Sequence, residues 1–477
     1  MDGWWNTTRE FEHFIRVYSQ RICKPWVYAL RNPLMLEHWD DPKKEKILWE
    51  GLKHLWTSRA TEMAIRLPIK SCDVLMYCSS DKPSVQPAMH WLARRLGNAG
   101  LEVLHWGAAT IGWYPGRLPS STFPVSDMRK ILGGALGYQA LFDIPFSFWH
   151  SAMAYATALV GSRAIARRFE RSPRRLFTEI ATNRHMTRVL REILAKLQPK
   201  CILTNGEQTP VGCALTAAAR MEGIRVIWFF NEWPTFQMMP VMSDELWIWN
   251  EVVGKTLQGI QTPGLPIPHI EVIGMAQLDC MEQQVRKGDV MAARMPGPQC
   301  LVFLSEHIPS YSHHNRVATE TALQWLAEAA AQAKDWYFVI KPRFYHDATL
   351  LPGERFLKGH KNIVVMRDGV TMSALLAAPE VQAIAALSSS GLLLGVATGR
   401  RAFRLLVSDN PYPLPPLDEF VRGISSPEML VRGLRQQAPA SSSTSFPNRG
   451  KVLETMETLI LQRVNPNHAL TETEVLV

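Results

Sequence analysis

Three consecutive serines followed by a glycine stand where the chain could bind an anion. Ser388, Ser389 and Ser390 follow the apolar run 381–387, which predicts a buried strand, and Gly391 opens an apolar helix. Hydroxyls and free backbone N–H groups at a helix start favour negative charge, because the donors and the helix dipole act together. The alternative is an ordinary serine cap without a ligand. These four residues are therefore candidate phosphate ligands.

Two further strand ends carry polar side chains that suit a nucleotide. The apolar run 336–340 ends in Lys341 and Arg343, two cations that could meet a phosphate, and a solvated basic turn is the alternative. The run 301–304 is followed by Glu306, whose carboxylate could hold a ribose or substrate hydroxyl. A glutamate in a loop is more often simply solvated.

Three carboxylates also follow predicted strands and could act as a general base that deprotonates an acceptor hydroxyl. Glu207 follows the predicted strand 201–204, Glu232 follows the predicted strand 224–230, and Asp81 follows the first strand of the same series. The alternative is a helix N-terminal acid that the helix dipole stabilises.

The elements that position these residues alternate between short apolar runs and helical periods. Strand, turn, helix, glycine and strand in succession predict an α/β fold with parallel sheets. We predict two doubly wound, Rossmann-like domains whose strand-carboxyl loops face a shared cleft. The predicted organisation is a helical extension 1–70, an acceptor domain 71–285 with an apolar and Arg-rich helical insertion 125–198, a nucleotide-sugar domain 298–435, a flexible linker 436–450, and a C-terminal helix and tail 451–477.

Composition excludes several classes of protein. Of the 477 residues, 47% are hydrophobic and 20% are charged, which is typical of a globular enzyme and excludes intrinsic disorder. The seven scattered cysteines include no CxxC pair, which favours a reducing cytoplasm over a disulfide or metal framework. No signal peptide and no apolar stretch of transmembrane length is present. The motifs of Walker kinases, dinucleotide dehydrogenases, α/β-hydrolases and zincins are also missing.

The net charge of +9 is concentrated locally. Nine arginines lie between 163 and 191, directly after the apolar segment 131–160. Few aromatic residues are interleaved with them, so we predict no nucleic-acid binding. Peripheral contact of 131–191 with an anionic membrane is one interpretation. A buried helical hairpin followed by a solvated basic helix is the other.

The order of the motifs resembles that of GT-B glycosyltransferases of the bacterial cell-surface carbohydrate group, which includes capsule and Kdo transferases, sialyltransferases and teichoic-acid glycerophosphotransferases. The resemblance runs over about 200–407 and rests on 243–250, on 272–279 with Gly274, on Lys341-Pro342, and on the triple serine. In that group the strand-end lysine motif and the serine motif bind the donor nucleotide. The resemblance places Arg343 where the family has a histidine.

The resemblance implies a metal-independent glycosyltransferase with no bound cofactor. Its donor would be a nucleotide-sugar, CMP-linked Kdo or a sialic-acid-like sugar. Its acceptor would be a glycan, a lipid-linked molecule or a protein. Two alternatives stay open: an enzyme of the UDP-sugar 2-epimerase type, and a catalytically inactive scaffold in a glycan-assembly complex.

Overall fold

The chain forms two compact α/β units. The computed structural model describes residues 71–78, 86–106, 110–114, 121–124, 148–160, 163–171, 173–207, 209–229, 241–260, 268–305, 313–342, 351, 353–367, 370–387, 389–407, 420–436 and 446–465. The N-terminal unit comprises the described residues up to Ala276 together with those from Lys451 onward, and the C-terminal unit comprises those from Gln277 to Gly450. The predicted N-terminal extension 1–70 lies outside the described residues.

The N-terminal unit is built on an eight-stranded sheet in the order β4-β3-β2-β1-β5-β6-β7-β8. The six strands from β2 to β8 in that order are parallel, and β3 and β4 are antiparallel additions at one edge. The strands are β1 (Val74–Tyr77), β2 (Val103–Trp106), β3 (Thr110–Tyr114), β4 (Ser121–Pro124), β5 (Cys201–Thr204), β6 (Arg225–Phe229), β7 (Glu245–Ile248) and β8 (His269–Val272).

The C-terminal unit contains a six-stranded sheet in the order β11-β10-β9-β12-β13-β14, and all its strands are parallel. The strands are β9 (Cys300–Leu304), β10 (Tyr337–Lys341), β11 (Ile363–Val365), β12 (Val381–Ala386), β13 (Arg401–Leu405) and β14 (Arg422–Ile424). The central strand β9 is buried along its whole length. This is the burial expected of a parallel strand that is covered by helices on both faces.

Helices connect the strands of both sheets. They are α1 (Gln86–Asn98), α2 (148–160), α3 (Arg163–Arg171), α4 (Pro173–Leu197), α5 (Pro210–Met221), α6 (Glu251–Ile260), α7 (Ala276–Arg286), α8 (His313–Gln332), α9 (Met372–Ala377), α10 (Gly391–Ala397), α11 (Pro427–Arg435) and α12 (Val452–Val464). Helix α7 makes its side-chain contacts with the C-terminal unit, through Glu282 with Arg449 and Asp279 with the Gly450 N–H. The contacts therefore divide the chain at 276, ahead of the predicted boundary at 285.

The C-terminal helix α12 packs on the N-terminal unit. Val452, Met456, Ile460 and Val464 recur every four residues, so they form one face, and all four are buried. Each buried aliphatic side chain contributes about 1.5–3 kcal/mol. Helix α12 is thus a structural part of the N-terminal unit.

An ion pair fixes each half of α12. Arg463 bonds to the buried Glu245 carboxylate at 3.2 Å and to Glu271 Oε1 at 2.9 Å, which joins the helix to the first residue of β7 and to β8. Nearer the start of the helix, Glu457 accepts a 2.6 Å hydrogen bond from the more exposed Arg95 of α1.

We predict that Arg463→Met lowers the free energy of unfolding by about 2–3 kcal/mol, because the buried Glu245 carboxylate loses its closest cation and keeps the more exposed Arg225 and the Trp247 indole N–H as partners. Arg95→Met breaks the exposed pair on the same helix and should cost less than about 1 kcal/mol. Urea denaturation of the full chain measures both values. Equal losses of unfolding free energy in the two variants would contradict the larger contribution assigned to the Arg463–Glu245 ion pair.

Two histidines meet in the core of the N-terminal unit. The rings of His90 on α1 and His105 on β2 lie 4.4 Å apart, and His105 is fully buried. Burial, and to a smaller degree the charge of His90, lowers the pKa of His105 from 6.5 to about 3. Burial and then Arg94 lower the pKa of His90 as well.

The depressed pKa of His105 predicts acid sensitivity. The unfolded chain takes up this proton near pH 6.5 and the folded chain only near pH 3, so stability is lost as the pH falls through that window. We expect His105→Phe to remove up to about 3 kcal/mol of the stability difference between pH 7 and pH 4. His360→Gln, at a half-exposed site, is the control. Parallel pH curves for His105→Phe and the parent chain would refute this.

Candidate functional site

The candidate site of the C-terminal unit lies where its strand order reverses. The chain runs outward from β9 to β10 and β11, and then returns to the other side of β9 with β12. In open α/β sheets, ligands bind at the carboxyl edge beside such a reversal of strand order. Leu304 pairs with Lys341 on one side and with Ala386 on the other. Residues 305, 342 and 387 therefore follow one another across the same edge, on strands about 4.8 Å apart.

Ser305 stands at the centre of this edge. Its backbone N–H donates to the Lys341 carbonyl at 3.1 Å, which extends the pairing of β9 and β10 by one residue. Its side chain is 7% exposed, and its hydroxyl has no hydrogen-bond partner among the described residues. A buried hydroxyl without a partner costs about 1–3 kcal/mol, so it is uncommon unless a ligand or water completes it. The residue predicted to bind a ribose or substrate hydroxyl here was its neighbour Glu306, and Ser305 was not predicted.

The serine turn after β12 lies on the other side of this strand reversal. Ser389 Oγ accepts the Gly391 N–H at 3.2 Å, and the Ser389 carbonyl accepts the Leu392 N–H at 3.1 Å. Ser390 is half-buried, and its side chain makes no capping hydrogen bond to α10. Of the predicted phosphate ligands, Ser389 and Ser390 thus stand at the same sheet edge as Lys341 and Ser305.

Gly391 has a packing role. A Cβ at this position would overlap Leu304 Cδ1 on β9 and would lie 3.4 Å from Met372 Cε. Its N–H is already bound to Ser389. The glycine was predicted as a phosphate ligand, and the structure explains it by the close approach of α10 to the sheet.

The N-terminal unit has an equivalent reversal between β1 and β5, because β2 lies on one side of β1 and β5 on the other. The loop after β5 is held tightly. Thr209 caps α5 by accepting the Gly212 N–H at 3.0 Å, and its hydroxyl donates to the Gly206 carbonyl at 2.8 Å. Tyr77 lies 3.4 Å from the Thr209 hydroxyl, and burial raises the pKa of Tyr77 to about 12. Tyr77 is therefore neutral at physiological pH.

Glu207 in this loop is a structural carboxylate. It is fully buried, and its Oε1 and Oε2 accept the backbone N–H groups of Met242 at 2.8 Å and Ser243 at 2.9 Å. Both oxygens are thus engaged in holding the segment before β7. Because Glu207 has no exposed surface, the loop would have to open before it could meet an acceptor hydroxyl, and its role as general base stays a prediction.

Gly274 and Asp279 of the 272–279 motif both have structural roles. Gly274 has φ of +98°, a left-handed conformation that favours glycine, and it forms the turn between β8 and α7. Asp279 accepts the Gly450 N–H at 2.6 Å and so ties α7 to the segment that leads into α12. The structure gives Gly274 a turn-forming role, and its nucleotide contact stays a prediction.

The remaining candidates lie outside the described residues. They are Asp81, Glu232, Glu306, Arg343 and Ser388. Asp81 follows β1 and Glu306 follows β9, in chain segments adjoining the two reversal points.

The described residues hold no group of three or more His, Cys, Asp or Glu side chains arranged to bind a metal ion. The six described cysteines are buried free thiols, and burial raises the pKa of Cys72 and Cys201 to about 12. These thiols are therefore structural rather than nucleophilic. Among the described helices, none is both long enough and apolar enough to cross a membrane.

Two doubly wound units in one chain are the architecture of GT-B proteins, and the predicted fold class is confirmed. No protein-family model and no curated protein sequence matches the chain.

Several solved structures are similar to it. One is a UDP-GlcNAc 2-epimerase from Neisseria meningitidis bound to UDP-GlcNAc, with 13% identity and a TM-score of 0.45 over 60% of this chain and 81% of that chain. A UDP-N-acetylglucosamine 2-epimerase from Rickettsia bellii has 11% identity and a TM-score of 0.48 over 82% and 96%. A UDP-forming α,α-trehalose-phosphate synthase from Burkholderia vietnamiensis has 11% identity and a TM-score of 0.39 over 83% and 96%. All three TM-scores are below 0.5, so no activity or residue role is transferred from these proteins.

We predict that Gly391→Ala destabilises the chain by about 1–3 kcal/mol, because the new methyl group must displace α10 from β9. Gly259→Ala is the matched control, since a Cβ there meets nothing within 4 Å in an ordinary helix. It should be neutral or stabilising by up to about 1 kcal/mol. Chemical denaturation measures both, and a neutral Gly391→Ala would remove the packing role.

Proposed function

We propose that the protein binds a nucleotide-activated sugar at the carboxyl edge of its C-terminal unit and transfers the sugar to an acceptor hydroxyl. The observation that carries this proposal is the Ser305 hydroxyl, which is buried at the strand reversal and has no hydrogen-bond partner among the described residues. It lies between Lys341 on one side and the turn of Ser389 and Ser390 on the other. A cation and several hydroxyls at one sheet edge suit a phosphate that carries a sugar.

The chemistry asked of this edge is charge stabilisation. When an acceptor oxygen attacks the anomeric carbon, the bond between that carbon and the phosphate oxygen breaks, and negative charge moves to the leaving phosphate. Lys341, the hydroxyls of Ser305, Ser389 and Ser390, and Arg343 would stabilise that charge without a metal ion. The acceptor proton needs a general base, and with Glu207 engaged by backbone amides the proposed bases are Glu232 and Asp81.

We prefer a CMP-linked sugar as the donor, because the triple serine resembles the serine motif that binds the donor nucleotide in the glycosyltransferase group described above. Epimerisation of a UDP-sugar is the second candidate reaction, because the engagement of Glu207 weakens one support for transfer. An epimerase would need acid and base groups on either side of one sugar carbon and would need no acceptor. An inactive scaffold would bind the nucleotide without turnover.

The test is a thermal-shift series with CMP, CDP, UDP, GDP and ADP. A bound nucleotide at a hundredfold excess over its Kd stabilises the protein by about 2.7 kcal/mol. We expect CMP to give the largest shift. UDP is the informative comparison, because the similar solved structures include two epimerases and a UDP-forming synthase. A larger shift with UDP than with CMP would favour epimerisation as the function. No shift with any nucleotide would overturn the proposal.

The Ser305→Ala variant distinguishes an effect on nucleotide affinity from an effect on the stability of the ligand-free protein. Removal of an unsatisfied buried hydroxyl should leave the ligand-free protein as stable or more stable, while nucleotide affinity falls about fivefold to tenfold. Thr319→Val is the matched control, because Thr319 Oγ1 is also buried without a partner among the described residues but lies within helix α8. It should change stability in the same direction and leave affinity unchanged. Unaltered affinity in Ser305→Ala would remove Ser305 from the site.

Product analysis then assigns the reaction. Free nucleotide that accumulates only in the presence of an acceptor marks transfer, and a changed sugar on an intact UDP marks epimerisation. Binding with neither product identifies the scaffold.

A further inference from the structure

The described part of helix α2 has an exposed apolar face, and two of its polar side chains are buried. Its exposed positions are Phe148, Trp149, Ala152, Ala156, Leu159 and Val160. Four of them are large, with exposures of 61% for Phe148, 62% for Trp149, 50% for Leu159 and 71% for Val160. His150 and Thr157, by contrast, are buried. A helix on the surface of a soluble protein ordinarily has the opposite arrangement.

The neighbouring helix α3 exposes positive charge. Arg163, Arg167 and Arg171 are exposed and recur every four residues, so they form one side of the helix. Only two residues separate α2 from α3, and the Tyr155 hydroxyl donates to Glu170 Oε1 at 2.6 Å between them. The two helices are therefore adjacent, and the apolar face and the arginines belong to one region of the surface.

The positive charge of this region indicates which kind of partner binds there. Residues 163–175 contain six arginines against one glutamate, a net charge of +5. A second copy of the chain bound face to face by two-fold symmetry would bring like charges together, which costs free energy. An anionic bilayer instead supplies opposite charge to the arginines and an apolar layer to the aromatic side chains.

We propose that α2 and α3 form a docking surface for an anionic membrane, with α2 lying in the plane of the interface and the α3 arginines against lipid phosphates. The proposal is independent of the sugar chemistry assigned above. The exposed side chains of the described residues 148–160 favour the membrane interpretation over the buried helical hairpin.

The experiment is flotation of the full chain with vesicles of phosphatidylcholine alone or with about one-third phosphatidylglycerol. We expect partition only with the anionic vesicles, and weaker partition in 1 M salt, where the Debye length is about 3 Å. Trp149→Ser with Val160→Ser should lower the partition constant at least tenfold through loss of apolar burial. Arg163→Gln with Arg167→Gln should lower it about 30-fold.

Matched controls use exposed residues of the C-terminal unit. Arg432→Gln with Arg435→Gln removes two exposed charges from α11, and Met291→Ser removes an exposed apolar side chain. Neither should change partition. An environment-sensitive dye on Ala156→Cys should shift to the blue on anionic vesicles, whereas the same dye on Gln332→Cys should not. The labelled parent chain sets the background.

Three results would overturn the proposal. The first is no partition into anionic vesicles. The second is full partition of the folded Trp149→Ser, Val160→Ser variant, with folding checked by thermal unfolding. The third is a dimer in light scattering that this variant dissociates, which would identify the apolar face as an interface between copies.

Discussion

The distance between helix and sheet at each strand-order reversal is set by a glycine. In the N-terminal unit a Cβ on Gly212 would overlap the Gly206 carbonyl, and in the C-terminal unit a Cβ on Gly391 would overlap Leu304. Because both side chains are missing, the helix after each strand starts close to the loop that ends the strand. Thr209 and Ser389 can then bond to that helix's first amides and fix the loop. The geometry of the strand reversal in both units depends on this approach.

The same position in an α/β unit can hold a carboxylate for catalysis or for structure, and only its partners distinguish the two. Glu207 follows a strand, as a general base would, yet its two oxygens hold the backbone of 242–243. Asp279 fixes the start of the C-terminal segment, and Glu245 holds Arg463 of α12. These three buried acids satisfy backbone groups or a buried cation, which compensates for the cost of burying their charge.

The sequence predicted the strands of both sheets where each was an apolar run ended by polar residues, as at β5 and β9. It missed β14, which has three residues and includes Gly423, and it missed the antiparallel pair β3 and β4. β14 is too short to show a period, and β3 and β4 are not continuous apolar runs, because β3 contains Thr110 and Gly112 and β4 contains Ser121, Thr122 and Pro124. Ser305 was missed for a different reason. Its importance depends on β12 pairing beside β9, and strand order across a crossover is not written in local sequence.

Several groups in the described structure depart from the rule that polar groups are satisfied and apolar surface is buried, and two of them lie beside residues that suit a ligand. One is the hydroxyl of Ser305, which is buried without a partner, and the other is helix α2, which has an apolar exposed face. The unsatisfied hydroxyl and the exposed apolar face each cost free energy in the isolated chain, and a bound partner would offset that cost. Folded proteins concentrate such departures where they bind something, because elsewhere selection for stability removes them. The chemistry of the surroundings then separates the partners: a single lysine and two serines suit a compact phosphate, whereas a row of arginines beside aromatic rings suits an extended, charged interface.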